Sequence, residues 1–190
     1  MSQESLFISE RMEEVSRMCE RENPIYEQIS SFSIALYVTG VIKCPDLLSF
    51  EDIDSQEAAR YLKENYTEIR PDELPADYHI RKADETYLLV IGDPSHPVHF
   101  AVFTESESPK PYFSKLTFFG SGFDSLDELK KEFLGKEGIG EEDIHYFKQA
   151  IEPARSGLTM GKLYFIEKGG GYAAFKEENG YLVRENRHYY

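Results

Sequence analysis

The chain has 190 residues and a formal net charge of −14, from 35 acidic and 21 basic side chains. The charge is uneven: residues 1–143 hold 30 acids and 14 bases, and residues 144–190 hold 5 and 7. Such a field repels phosphate backbones and anionic lipid and attracts basic partners. It argues against nucleic-acid binding by direct phosphate contact and against docking on an anionic membrane.

The length predicts a single domain, residues 1–190, large enough to bury a core without metal or disulfide staples. A hydrophobic fraction of 41% beside 29% charged residues fits a globular chain. The 13 Tyr and 13 Phe, with no Trp, tilt the reading towards β structure. Cys19 and Cys44 make no disulfide framework, and no CxxC pair is present to hold zinc. The N-terminus lacks the positive n-region of a secretory signal. The apolar stretch Ile29–Ile42 is interrupted by three serines, Thr39 and Gly40, and is too short and polar for a bilayer. These features predict a reducing, cytoplasmic setting.

In chain order, Glu4–Glu22 reads as an amphipathic helix with Ile8, Met12, Val15 and Cys19 on one face. Pro24 ends it or starts the next element. Ile25–Val38 reads as a second, more buried helix, with a strand as the alternative because of its β-branched residues. Asp54-Ser-Gln-Glu57 is a capping box opening a helix to about Tyr66, with Ala58 and Leu62 inward. Arg70–Asp77, with two prolines and three acids, is a loop. It closes a mainly helical front, residues 1–70.

Four β-type runs occupy residues 78–120: Tyr78–Lys82, Thr86–Ile91, Pro97–Thr104 and Lys115–Phe119. The short connections Ala83–Glu85 and Gly92–His96 demand antiparallel neighbours. Runs apolar on both faces predict central strands covered on both sides. Residues 124–151 read as two helices. One opens at the capping box Ser125-Leu-Asp-Glu128, and the other spans Glu141–Ile151 with Ile144, Phe147 and Ile151 inward. Residues 162–186 read as a β meander, its last turn marked by Asn179-Gly180. The fold class is therefore α+β: a mainly antiparallel sheet of six to seven strands covered by helices, behind a helical N-terminal region.

Several constellations bear on function. Cys44 precedes Pro45, a residue favoured at the first helical position. A thiol at a helix N-cap is acidified into a better nucleophile. With His99 as base this resembles the Cys–His pair of papain-like thiol hydrolases, though no third group presents itself. The structural alternative is a half-buried cysteine and a core histidine. Asp93, His96 and His99, with His79 nearby, supply metal-ligand chemistry. A spacing of three along a strand turns the two histidines to opposite faces, so no metal site is predicted. Gly120-Ser-Gly122 running into a helix suggests a phosphate cradle, but Asp124, Asp127 and Glu128 occupy that first turn and repel an anion.

The carboxylates fall in caps and inter-strand loops, where they are either solvated or form an acidic binding face. Glu51, Asp52, Asp54, Glu105 and Glu107 are the candidates for such a face. Arg184, Arg187 and Tyr189 of the tail have the chemistry of interface hot spots. The expectation is a non-catalytic, acidic interaction protein with a basic partner, protein or cationic surface, and no cofactor. The alternatives are the thiol hydrolase and a small-molecule binding domain whose pocket is lined by the aromatic face of the sheet.

Overall fold

A computed structural model describes residues 3–18, 29–42, 51–117 and 119–150, and the backbone of 163–166, 172–178 and 181–184. The chain divides into two compact units, one of residues 1–42 and 52–151, the other of residues 43–51 and 152–190.

The first unit is built on a six-stranded antiparallel sheet. Its strands are β1 (Thr67–Ile69), β2 (Glu85–Asp93), β3 (His96–Phe103), β4 (Tyr112–Leu116), β5 (Gly120–Asp124) and β6 (Ile144–Ala150), in the order β1-β6-β2-β3-β4-β5. The helices are α1 (Gln3–Met18), α2 (Ser31–Val38), α3 (Ser55–Asn65) and α4 (Leu126–Phe133). The expected α+β class and antiparallel sheet are present.

β2 and β3 are the central strands, and Leu88, Leu89, Val90, Phe100, Ala101 and Val102 are all fully buried. Cross-strand partners share a face. Leu89, Ala101 and Tyr146 line one face; Leu88, Val102, Phe113 and Phe147 line the other. Helices cover both. α2 sets Phe32 edge-on against Phe100, ring centroids 4.9 Å apart. α4 lays Phe133 over His99 on the opposite face at 4.5 Å. Burying each Leu or Phe here contributes roughly 1.5–3 kcal/mol.

The helix starts follow their caps. Asp54 and Ser125 each close a capping box, with Glu57 and Glu128 as the reciprocal partners. Ser30 caps α2 by accepting from Ser33 N–H. α2 therefore begins at Ser31 rather than Ile25, and residues 25–28 of the expected helix lie outside the described residues. α2 also seals a sheet edge. β4 pairs with β3 only at Val102 and Phe103, so the first half of β3 lacks a strand on that side. Ser31 Oγ accepts from Phe100 N–H at 3.2 Å there, and Ser55 Oγ donates to the Pro97 carbonyl at 2.6 Å.

The structure corrects four expectations. Glu141–Ile151 is not a helix. Its acids form a 3₁₀ turn, Glu141–Asp143, and Ile144–Ala150 is strand β6, inserted between β1 and β2. Tyr78–Lys82 is not a strand, because β3 and β6 occupy both edges of β2; a single bridge joins His79 to Glu105. The fourth β run is shifted: β4 covers Tyr112–Leu116, and Phe119 is exposed beyond it. Gly120-Ser-Gly122 is not a glycine turn but part of β5, paired with Ser114–Leu116.

The β2–β3 connection is also tighter than expected. The strands reach Asp93 and His96, leaving Pro94-Ser95 as the turn, with a bulge between Ile91 and Gly92. Gly92 has φ +102°, and a Cβ there would meet Val98 N at 2.9 Å, so the bulge requires glycine.

In the second unit, β7 (Leu163–Ile166), β8 (Tyr172–Glu178) and β9 (Tyr181–Arg184) form a three-stranded antiparallel meander. Glu178 of β8 pairs with Tyr181 of β9, and the expected turn residues Asn179 and Gly180 lie outside the described residues. Among the described residues, no helix is long and apolar enough to cross a membrane.

Candidate functional site

Three segments bring carboxylates to one end of the six-stranded sheet. The β2–β3 turn carries Asp93, which pairs with His96. The 3₁₀ turn Glu141-Glu142-Asp143 leads into β6, whose first residue, Ile144, pairs with Ile91. The start of α3, with Asp52, Asp54 and Glu57, is tied to the same end by the Ser55–Pro97 hydrogen bond. Asp143 is half-buried and the other six acids are exposed.

Each turn fixes its acids by local bonding. Asp93 Oδ1 accepts from Ser95 Oγ at 2.6 Å and Ser95 N–H at 2.8 Å. These bonds, with smaller contributions from His96 and His145, hold its carboxyl below the usual carboxylate range. Asp143 Oδ2 accepts from Gly140 N–H at 2.9 Å. Asp54 Oδ1 accepts from Glu57 N–H at 2.8 Å. Cations at this end are partly matched. Lys130 reaches Glu141 Oε2 at 3.1 Å, Lys136 reaches Glu132 Oε1 at 3.5 Å, and Lys131 is exposed. His145 Nδ1 lies 2.7 Å from Glu68 Oε1.

The residues singled out from sequence do not form one surface. Asp52 and Asp54 belong to the acidic end, where Asp54 also caps α3 and Asp52 accepts from Ser30 N–H and the Ser33 hydroxyl. Glu105 and Glu107 follow β3 at the opposite end of the sheet. Glu51 is exposed and belongs to the second unit. Arg184 pairs with Phe175 through its backbone in β9, while Arg187 and Tyr189 lie outside the described residues. Cys44 lies outside them too. His99, its proposed base, is 2% exposed and stacked beneath Phe133. His96 is exposed and His99 buried; the bulge beside Gly92 breaks the alternation, and their partners Asp93 and Ile91 are two residues apart on β2, so the spacing of three does not separate the two histidines onto opposite faces. Among the described residues, no group of three His, Cys, Asp or Glu side chains is placed to hold a metal ion.

Glu57 and Asp93 fall outside the carboxylate clusters that the sequence marks, while Glu141–Asp143 is one of those clusters, placed there at a helix start. The stretch Ile144–Gln149 carries no strict alternation, and it is the pairing of β6 with β2 that makes the acids a strand start beside the β2–β3 turn rather than a helix start. Comparison with models of known protein families, with curated proteins and with solved structures found no match to this chain.

Proposed function

We propose that this is a non-catalytic interaction protein that binds a basic partner, a protein or a cationic surface, through the acidic end of its six-stranded sheet. The observation that supports this reading is the convergence of seven carboxylates from three separate segments. Acids scattered only for solubility have no need to be gathered at one end. Within a Debye length of about 8 Å at physiological salt, neighbouring charges act together on an approaching cation.

The test uses poly-L-lysine as the basic probe. Its affinity should fall steeply between low and high salt. The double reversal Glu141→Lys with Glu142→Lys should weaken binding several-fold more than the matched reversal Asp84→Lys with Glu107→Lys at the other end. Equal losses from the two pairs, or a salt-independent complex, would overturn the proposal.

A further inference from the structure

A cleft of about 720 Å³ opens in the first unit, away from the acidic end. That is within the size range of small-ligand sites. One wall is the α1 face bearing Met12, Glu13 and Arg17. The other is the His79–Arg81 turn with Glu105, and Phe123 of β5 adds an aromatic ring.

The chemistry of this cleft departs from the rest of the molecule. In a chain of net charge −14, two guanidinium groups and an imidazole meet across one cavity. Neither arginine is strongly engaged. Arg81 Nη2 lies 4.0 Å from Glu13 Oε1, with both side chains more than half exposed. Such a pair contributes little and is easily exchanged for a ligand. Arg17 gives its Nε–H to the Glu13 carbonyl at 3.4 Å, an intrahelical bond, and forms no ion pair among the described residues. His79 Nδ1 accepts from Arg81 N–H at 3.1 Å, so a neutral ring carries its proton on Nε2 and donates from there. Facing these donors are the Glu13 and Glu105 carboxylates. Phe123 is 44% exposed, an aromatic ring left partly open to water on the same cleft.

We propose that the cleft binds a small zwitterion with an apolar side chain, the class of free amino acids and short peptides. The carboxylate is taken by Arg17 and Arg81, whose forked donors match it in bidentate fashion. The ammonium is taken by Glu105 and Glu13. The apolar group lies on Phe123 and Met12. A purely anionic ligand would meet the two glutamates, and a purely cationic one the two arginines; only a ligand carrying both charges satisfies the full set.

Calorimetric titration of the full chain with leucine, with Leu-Leu and with N-acetyl-leucine amide tests this. Leucine or Leu-Leu should bind saturably and the end-blocked amide should not. Arg17→Gln and Arg81→Gln should each weaken binding about tenfold, the worth of one hydrogen bond to a charged group. Both positions are exposed, and an unchanged circular dichroism spectrum verifies the fold. Glu141→Lys with Glu142→Lys should leave this binding intact, which separates it from the acidic-end reading. Equal binding of the blocked amide, an affinity unmoved by either arginine substitution, or no saturable binding at millimolar ligand would overturn the proposal. A difference between leucine and Leu-Leu assigns the ligand to the amino-acid or the peptide side of the class.

Discussion

Ser33 shows how much one small side chain holds together. It is fully buried in α2. Its hydroxyl donates to Asp52 Oδ1 and accepts from the buried Ile53 N–H at 3.0 Å. Asp52 Oδ1 also accepts from Ser30 N–H at 3.0 Å, and Ser30 Oγ donates to the Ile53 carbonyl at 3.0 Å. This network fastens the segment before α3 to the N-terminus of α2. It also fixes one of the carboxylates at the acidic end. Ser33→Ala leaves the Ile53 N–H buried without its acceptor, at a cost of about 1–3 kcal/mol. Urea unfolding should show a midpoint lowered accordingly with an unchanged slope, because the fold and its buried area persist. A loss below about 0.5 kcal/mol would mean that water replaces the hydroxyl.

At the scale of elements, the strand β6 carries the sharpest prediction. It pairs with β2 along Ile144–Ala150 but with β1 only along Tyr146–Lys148. Amides of Tyr146, Phe147 and Lys148 should therefore all exchange slowly, while those at the strand's ends alternate between protected and open. A helix would instead protect successive amides without alternation, so residue-resolved hydrogen exchange decides between them. The same strand shows where sequence reading stops. The Ile144, Phe147 and Ile151 spacing fits a helix, while the β-favouring Ile144, Tyr146 and Phe147 suit a strand. Only the vacancy between β1 and β2 selects the strand, and that pairing is not local. The caps at Asp54 and Ser125 were legible because their hydrogen bonds reach only three residues along the chain. The β2–β3 hairpin was legible because its strands are near neighbours in sequence. Tyr78–Lys82 has strand-like composition but no edge to join, a fact fixed by residues more than sixty positions away. The acidic end stayed hidden for the same reason: it is assembled from positions 52–57, 93 and 141–143. So did the cleft, which joins α1 to residues 79–81, 105 and 123.

Across the first unit as a whole, tyrosine hydroxyls link the secondary-structure elements. Tyr66 OH lies 2.6 Å from Thr39 Oγ1, joining the ends of α3 and α2. Tyr78 donates to the Glu85 carbonyl and Tyr87 to the Glu85 carboxylate, both at 2.7 Å. Tyr112 of β4 and Tyr146 of β6 influence one another's ionisation across the intervening strands. Burial is the main reason that all five hydroxyls ionise less readily than the ordinary phenol. The sign of the linkage follows directly. A phenol whose pKa is higher folded than unfolded contributes its full stability below the unfolded value, near 10, and loses it as pH rises above that value. Alkaline unfolding is therefore expected to be cooperative. A titration followed at 295 nm tests this. The buried group should ionise only together with the loss of far-ultraviolet circular dichroism. If all thirteen tyrosines instead titrated in one phase with the dichroism intact, the hydroxyl ties would be accessible to solvent and could not be linking the helices and strands.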